Sequence, residues 1–376
     1  MSAADTLRGI GEQATLARIF PRLPASVSQL LGPGDDAAVI RAPDGRYVVT
    51  TDMMIHGPDF RLAWSSGYDL GWKAAVTNLA DVAAMGAVPT ALVVAIAAPA
   101  DTPVEFLEQI ADGLRVACEL FAPGCGVVGG DLSVSDTMTF AVTAFGDLEE
   151  RAPILRSGAR VGNIVAVSGA LGLAAAGLEL LFEHAVTAGV PDASAAATLR
   201  SEHPRAITAQ LAPRPPIADG PLAAIAGATA MLDLSDGLVL DARRVARASA
   251  VTIALDSAAV LAIAADFAGD AAGDQAGDAA GDTAVPATGR NADADADAGA
   301  QTDTASALRL ALDGGEDHSL FATFPPGTAL PGGFRAIGTV VAPVDNAHLG
   351  QVTVDDVVYG ADGGWDPYAG WLGGRG

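Results

Sequence analysis

Lysine is almost missing from this sequence. Of 21 basic residues in 376, twenty are arginines and one, Lys73, is a lysine. A P-loop needs a Gly-Lys-Ser/Thr run, and Lys73 stands in GWKAA, so nucleotide binding by that route is excluded. Basic residues are also outnumbered by 45 acidic ones, and a net charge of −24 excludes a broad electrostatic grip on nucleic acid or an anionic membrane. Cysteine is scarce: Cys118 and Cys125 make neither a CxxC pair nor a zinc quartet and read as reduced thiols of a cytoplasmic protein. The opening MSAADTLRGIGEQ lacks an apolar core, so no signal peptide is expected. The longest apolar stretch, IVAVSGALGLAAAGLELLF at 164–182, carries Ser168, Glu179 and glycines; it reads as a buried strand, a turn and a helix rather than a membrane span. No nucleophile constellation is present either. The five histidines are scattered, GxSxG does not occur, and neither cysteine has a histidine partner by motif.

What the chain does have is apolar bulk and length enough for two cores. Half its residues are hydrophobic, and 376 residues exceed one typical domain. Strand and helix patterns alternate in both halves, which predicts an α/β architecture. In the first half the clearest elements are a helix over 69–85 ended by Gly86, the strand TALVVAIAAP, the helix VEFLEQIADGLRVACELFA and the strand TMTFAVTAFG. The second half has a strand–turn–helix at 164–183, a strand into LDLSDG and a helix through DARRVARAS. The boundary is expected near 150, giving domains 1–150 and 151–376. Residues 266–304 differ in kind: nine aspartates and one arginine, few large apolar residues, and a GDxA repeat. Such a composition cannot bury enough surface to offset chain entropy, so a disordered acidic insertion is expected there.

The remaining acidic residues are placed differently. GPGDDAAV, TTDMM, NLADVAAMG, VVGGDLS, LDLSDGL and GGEDHS each set a carboxylate beside apolar residues, most after a strand or a glycine turn. Strand ends facing one crevice are where α/β proteins gather ligand groups. On the 69–85 helix, Lys73, Thr77 and Asp81 fall at i, i+4 and i+8 with Asn78 adjoining, a polar stripe set among Leu70, Ala74, Leu79 and Val82. Clustered carboxylates repel, and one lysine with scattered arginines cannot neutralise them all. Hard divalent cations can, and oxygen-only ligation points to Mg²⁺ or Mn²⁺, which commonly hold substrate phosphates as well. Metal-assisted phosphoryl transfer suits this inventory.

In order, GDDAAV, TTDMM, KAAVTNLADVAAMGAVP, GGDLS, LRSGARVG, LDLSDGL, GGEDHSLF and GWDPY resemble the thiamine-monophosphate kinase family of the aminoimidazole-ribonucleotide synthetase-like superfamily, from about residue 8 to 367 without the acidic insertion. The resemblance implies a two-domain mixed α+β fold, with an N-terminal domain that pairs with a second copy in a homodimer and a C-terminal α/β domain that closes over the cleft. It implies ATP-dependent phosphorylation of thiamine phosphate to thiamine diphosphate by direct in-line transfer with several Mg²⁺ ions. The implied metal ligands are Asp36, Thr50, Thr51, Asp52, Asp81, Asp131, Asp233 and Asp236. Gly130, Asp131, Arg156 and Ser235 would contact ATP, and Asp59, Glu316 and Trp365 the thiamine substrate, with the indole facing a cationic thiazolium.

Three stretches depart from the family pattern. HGPDF has Asp59 where a histidine is common, with His56 nearby; GGEDHSL has His318 where a tyrosine is usual; GWDPY replaces GWDHF. Two alternatives are weighed. Another ATP-using enzyme of the superfamily, selenophosphate synthetase or the hydrogenase-maturation dehydratase, would need an N-terminal or C-terminal reactive residue that this sequence does not show. A non-catalytic acidic metal- or nucleotide-binding protein would suit the insertion but not the ordered motifs outside it.

Overall fold

The computed structural model of the chain describes residues 6–31, 39–269, 295–343, 349–360 and 364. The first half comprises α1 (Leu7–Ile19), β1 (Gln29–Leu31), β2 (Val39–Ile40), β3 (Val48–Ile55), α2 (Gly67–Ala84), β4 (Val88–Ala98), α3 (Val104–Phe121), β5 (Gly126–Val134) and β6 (Thr139–Asp147). Strands β3, β6, β4 and β5 form one sheet in that order, and β1 pairs with β2 in a ribbon. The helix α3 makes β4 and β5 parallel neighbours, whereas β6 inserts between β3 and β4 and runs against both.

After a connection from Asp147 to Ile164 the chain enters a second sheet. Its elements are β7 (Ile164–Ser168), α4 (Leu173–His184), β8 (Val186–Thr187), β9 (Val190–Pro191), α5 (Ala193–Glu202), α6 (Pro204–Leu211), α7 (Asp219–Ile225), β10 (Ala230–Leu234), α8 (Leu238–Ser249), β11 (Thr252–Leu255), α9 (Ser257–Gly269), α10 (Asp295–Asp313), β12 (Ser319–Phe324), β13 (Arg335–Val341), β14 (Val352–Val354) and β15 (Val357–Val358). Seven strands join in the order β10-β12-β7-β13-β11-β14-β15, with β11 and β14 parallel and the other pairs antiparallel. The fold is therefore mixed α+β. Alternation of strands and helices along the chain suggests parallel sheets, but here most helices connect strands that are not sheet neighbours. At the acidic insertion, α9 reaches Gly269 and α10 starts at Asp295, so 266–269 and 295–304 are helical where low hydrophobicity predicts no structure; these flanks are rich in alanine, the best helix former. Residues 270–294 lie outside the described residues.

The helix α2 organises the cleft. Ser66 caps it and Asp69 completes a capping box, each side chain bonding the other's backbone N–H. Nearly every residue of the helix is buried, because it is enclosed on several sides. The first sheet covers one side, with Phe140, Val142 and Ala144 in the same core as Leu70, Leu79 and Val82. The second half covers others: Trp72 donates its indole N–H to Pro213 O (2.6 Å), Arg200 of α5 forks onto Asp69 (2.7 and 2.8 Å), and β10 lies alongside. On the α3 side the backbones approach closely enough that a Cβ on Gly71 would sit 2.0 Å from Ile110 O, and one on Gly113 would sit 2.2 Å from Tyr68 O. Helical glycine is intrinsically unfavourable by about 1 kcal/mol relative to alanine; here close packing of α2 on α3 requires it.

This contact generates a stability prediction. Gly71→Ala should lower unfolding free energy by about 2 kcal/mol or more, despite its better helix propensity, because the methyl meets backbone that cannot yield. A denaturant midpoint equal to or above that of the parent protein would refute it.

Candidate active site

Strand alternation decides which side chains reach the cleft. In the register of β3 with β6, Thr50, Asp52 and Met54 stand opposite Ala144, Val142 and Phe140, on the face that packs against α2. Thr50 Oγ1 donates to Asp81 Oδ2 (2.9 Å), and Asp52 N donates to the buried Asn78 Oδ1 (3.1 Å). Asn78 in turn donates to Ala74 O (3.0 Å), so α2 holds β3 at the point where the two carboxylates meet. The polar stripe of α2 is thus an internal surface rather than a solvated one.

The second half brings the matching wall. β10 carries Asp233 into the cleft, and the loop after it carries Ser235 and Asp236. That loop is held by the GGEDHS segment: Glu316 N donates to Ser235 O (2.8 Å) and His318 N to Leu234 O (3.0 Å), leading into the β10–β12 pairing. Glu316 (φ 74°) and His318 (φ 51°) both adopt left-handed backbone, a strained conformation for non-glycine residues and one found at ligand sites. His318 is buried, with Nδ1 3.3 Å from Asp233 Oδ2 and Nε2 without a partner among the described residues. Asp317 of the same segment is structural: its carboxylate accepts Gly172 N (2.5 Å) and Ala174 N (2.8 Å) at the start of α4.

Together these elements enclose a chamber of about 1250 Å³. Thr50, Asp52, Asp81, Asp233 and Asp236 line it, and so do Arg156, Arg243, Arg244 and Arg247. Arg244 reaches Asp236 Oδ2 (2.6 Å) and the buried Asp241 Oδ1 (2.5 Å), and Asp241 also accepts Asp236 N (3.0 Å). A second chamber of about 430 Å³ adjoins it, more apolar, with Phe60, Trp64, Leu178, Phe182 and Leu211 in its walls. Arg61 sits 5.5 Å from both the Trp64 and Phe182 rings. Asp59, Lys73, Glu316 and Gly364 line both chambers. Lys73 pairs with Glu316 Oε2 (2.5 Å) at this waist.

The carboxylates suppress one another's ionisation. Burial first, and then the charges of Asp233 and Asp52, push Asp81 up to about 7, against the opposing bond from Thr50. Asp52 is also raised, by burial and then by Asp233. Burial likewise raises Asp241 to about 7, against the pull of Arg244. Glu316 goes the other way: burial would raise it, but Lys73 and then His318 hold it below its usual range. Among the described residues no three His, Cys, Asp or Glu side chains are already arranged around one point as a metal site. The donor set still fits a hard cation, because Mg²⁺ usually takes one or two carboxylates and completes its shell with water and phosphate oxygens.

The sequence-expected residues divide accordingly. Thr50, Asp52, Asp59, Asp81, Arg156, Asp233, Ser235, Asp236 and Glu316 all line the cleft. Asp59, not His56, lines it; the His56 ring lies tilted against Phe60 instead, centroids 5.6 Å apart. Thr51 does not: alternation turns it to the opposite face of the strand, where it donates to Val142 O (2.9 Å) and accepts from Thr143 (3.2 Å). Asp131 is on that opposite face as well, in the cross-strand row Met53–Ala141–Ala95–Asp131, bonded to Ser133 (2.6 Å). Gly130 shares the row of Asp52, but three strand spacings, about 14 Å, separate them. Within one chain, then, Thr51, Gly130 and Asp131 do not join the cleft. Asp36 and Trp365 lie outside the described residues. Sequence reasoning missed Arg243, Arg244 and Arg247 of α8, whose repeated arginines on an amphipathic helix were a legible signal, and Asp241, whose role depends on contacts the spacing does not show; Asn78 was placed beside the polar stripe but its bond to Asp52 was not legible.

Comparison with known proteins follows the same outline. Residues 34–148 match the family described as AIR synthase related protein, N-terminal domain. The thiamine-monophosphate kinase of Mycobacterium tuberculosis is 40% identical over 371 residues, covering 98% of this chain and 93% of that protein. Among solved structures, thiamine monophosphate kinase from Aquifex aeolicus superposes with a TM-score of 0.62 at 28% identity, covering 85% of this chain and 91% of that one. A structure of AaThiL complexed with AMPPCP and TMP superposes with a TM-score of 0.63 at 28% identity over 88% of this chain and 90% of that one.

The suppressed ionisation has a measurable consequence. In native protein without cation, Asp81 keeps a proton that the unfolded chain has already lost between pH ~4 and ~7. Its contribution to stability is therefore complete below about pH 4 and lost as pH rises through about 7. In EDTA, thermal stability should fall across that window, and Mg²⁺ should restore it at pH 7–8. Asp81→Asn should flatten the dependence and stabilise the cation-free protein at pH 8 by on the order of 1 kcal/mol. Identical pH profiles for parent and variant would refute the assignment.

Proposed function

The chain belongs to the thiamine-monophosphate kinase family, and from that membership and the two-chamber cleft we propose that it transfers the terminal phosphoryl group of ATP to thiamine phosphate, forming thiamine diphosphate. The observation that carries this reading is the junction itself. A polar chamber lined by both carboxylates and arginines suits a metal-bound polyphosphate, and it shares Asp59, Lys73, Glu316 and Gly364 with a smaller, more apolar chamber that would take the acceptor. AaThiL was solved with AMPPCP and TMP together, which supports two adjoining ligand sites in this family.

In this reading Asp52, Asp81, Asp233 and Asp236 would hold Mg²⁺ with Thr50. When bound there, the cation would supply neutralisation of phosphate charge. Asn78 keeps Asp52 fixed in place, and Asp241 does the same for Asp236 and Arg244. The arginines, Arg156 among them, and Ser235 take the polyphosphate, where guanidinium groups bind phosphate bidentately. In the smaller chamber Asp59 and Glu316 meet the thiamine, and the aromatic side chains Phe60, Trp64 and Phe182 exclude water. The acceptor oxygen belongs to a phosphate that is already ionised, so no general base is needed and positioning carries the catalysis.

The protein acts as a homodimer in the cytoplasm. The sheet face away from α2 carries Val49, Met53, Val93, Ala95 and Phe145; Val49 and Met53, on the edge strand β3, are more than half exposed and also border the larger chamber. A second copy covering this face would bury these side chains and enclose Thr51 and Asp131, which one chain leaves outside its own cleft. Reduced, buried Cys118 and Cys125 fit that compartment.

Purified protein with ATP, Mg²⁺ and thiamine phosphate should form thiamine diphosphate and ADP in equal amounts. Asp233→Asn should lower kcat at least about 100-fold with the fold retained by circular dichroism; absence of turnover by the parent protein would end the kinase reading. For the dimer, Met53→Glu should convert a dimeric sedimentation profile to a monomeric one. A monomeric parent would refute that assignment.

A further inference from the structure

Lys73 is the only lysine in the chain, and it stands where the two chambers join. It is 5% exposed. Its Nζ donates to Gln210 O (3.1 Å) and pairs with Glu316 Oε2 (2.5 Å), so two of its three N–H donors have partners among the described residues and the third has none. The pair is asymmetric. Lys73 extends from a helix enclosed on several sides, whereas the Glu316 side chain is one-third exposed and its backbone is left-handed. Glu316 is the member able to leave.

The charge balance at the waist needs a cation. Asp59 and Glu316 are its two carboxylates, Lys73 its one positive side chain, and two phosphate-bearing ligands must approach each other there. Arg156, Arg243, Arg244 and Arg247 line only the larger chamber; Arg61, over the Trp64 and Phe182 rings, and Arg309, paired with Glu179, line only the smaller. A lysine ammonium is a compact point charge with three rotatable donors, able to follow a moving phosphoryl group; a guanidinium is a rigid planar fork suited to static phosphates.

We propose that Lys73 is a catalytic residue whose ammonium contacts the phosphoryl group as it passes from the larger chamber to the smaller, and that Glu316 is the resting counter-ion it releases to do so. This rests on the kinase reading above. In the step, the bond from the terminal phosphorus to the bridging oxygen breaks and ADP keeps the electron pair. A bond then forms to an oxygen of the acceptor phosphate. Lys73 stays protonated throughout, and no proton, oxidant or further reactant enters.

A single lysine makes the test direct. Protein labelled with ¹⁵N-lysine has one side-chain Nζ resonance. Saturating AMPPCP, Mg²⁺ and thiamine phosphate together should shift it, and by more than either ligand alone; an unmoved resonance overturns the proposal. In kinetics at saturating substrates, Lys73→Met should lower kcat by about 100-fold or more while each KM changes less than about fivefold. A merely structural tie between α2 and Glu316 predicts instead a raised KM, a lowered melting temperature and the same profile in Glu316→Gln. That pattern, or kcat within threefold of the parent, overturns the proposal. If the parent chain itself fails to phosphorylate thiamine phosphate, the kinase reading fails first, and the resonance experiment with AMPPCP and Mg²⁺ alone then decides whether Lys73 meets a nucleotide phosphate at all.

Discussion

The structure depends on burying charge along one helix. Lys73, Thr77, Asn78 and Asp81 lie on α2, which is enclosed by the first sheet, α3 and the second half of the chain. Burying ionised groups is costly unless each finds a partner. Lys73, Asn78 and Asp81 do so in a way that builds the cleft. Lys73 takes Glu316, Asn78 takes the Asp52 backbone, and Asp81 takes Thr50. What protein groups leave unmet is the repulsion among Asp52, Asp81 and Asp233, the charge that a cation would neutralise under the proposed function.

The two halves contribute unlike things. The first supplies rigid geometry: α2 and β3 are locked by close backbone packing and by hydrogen bonds from both strand and helix. The second supplies charge that can rearrange. Its LSDG loop and GGEDHS segment are tied to each other through backbone bonds from Glu316 and His318, and both of those residues sit in left-handed backbone. Strain of this kind persists when surrounding contacts over-determine it, here the β10–β12 ladder on one side and Asp317 at the start of α4 on the other. The cleft thus joins a wall fixed by packing to a wall fixed in strained backbone.

Much of this was legible from the linear chain. The α2 span was readable from apolar spacing and its glycine stop, and β6 from strict alternation. The internal character of the α2 stripe followed from Asp81 lying among alanine, valine and methionine. Parallel pairing was not readable correctly, because alternation of element types does not reveal that β6 inserts between β3 and β4. The facing of Thr51 and Asp131 was also hidden: adjacent strand residues point to opposite faces, and only the register says which one meets α2. The helical flanks of the acidic insertion were missed because low hydrophobicity outweighed alanine's helix propensity in the reading.

By itself the sequence determined the chemistry available: oxygen ligands without a nucleophile, one lysine, no P-loop, and motifs whose order identifies the family. Those are properties of residue type and local spacing, which survive unfolding. Tertiary structure alone decided which carboxylates share a cleft, that the cleft has two chambers, and that Lys73 and Glu316 meet where they join. These are contacts between residues hundreds of positions apart, created only when the second half closes around α2 and removes water from between the charges.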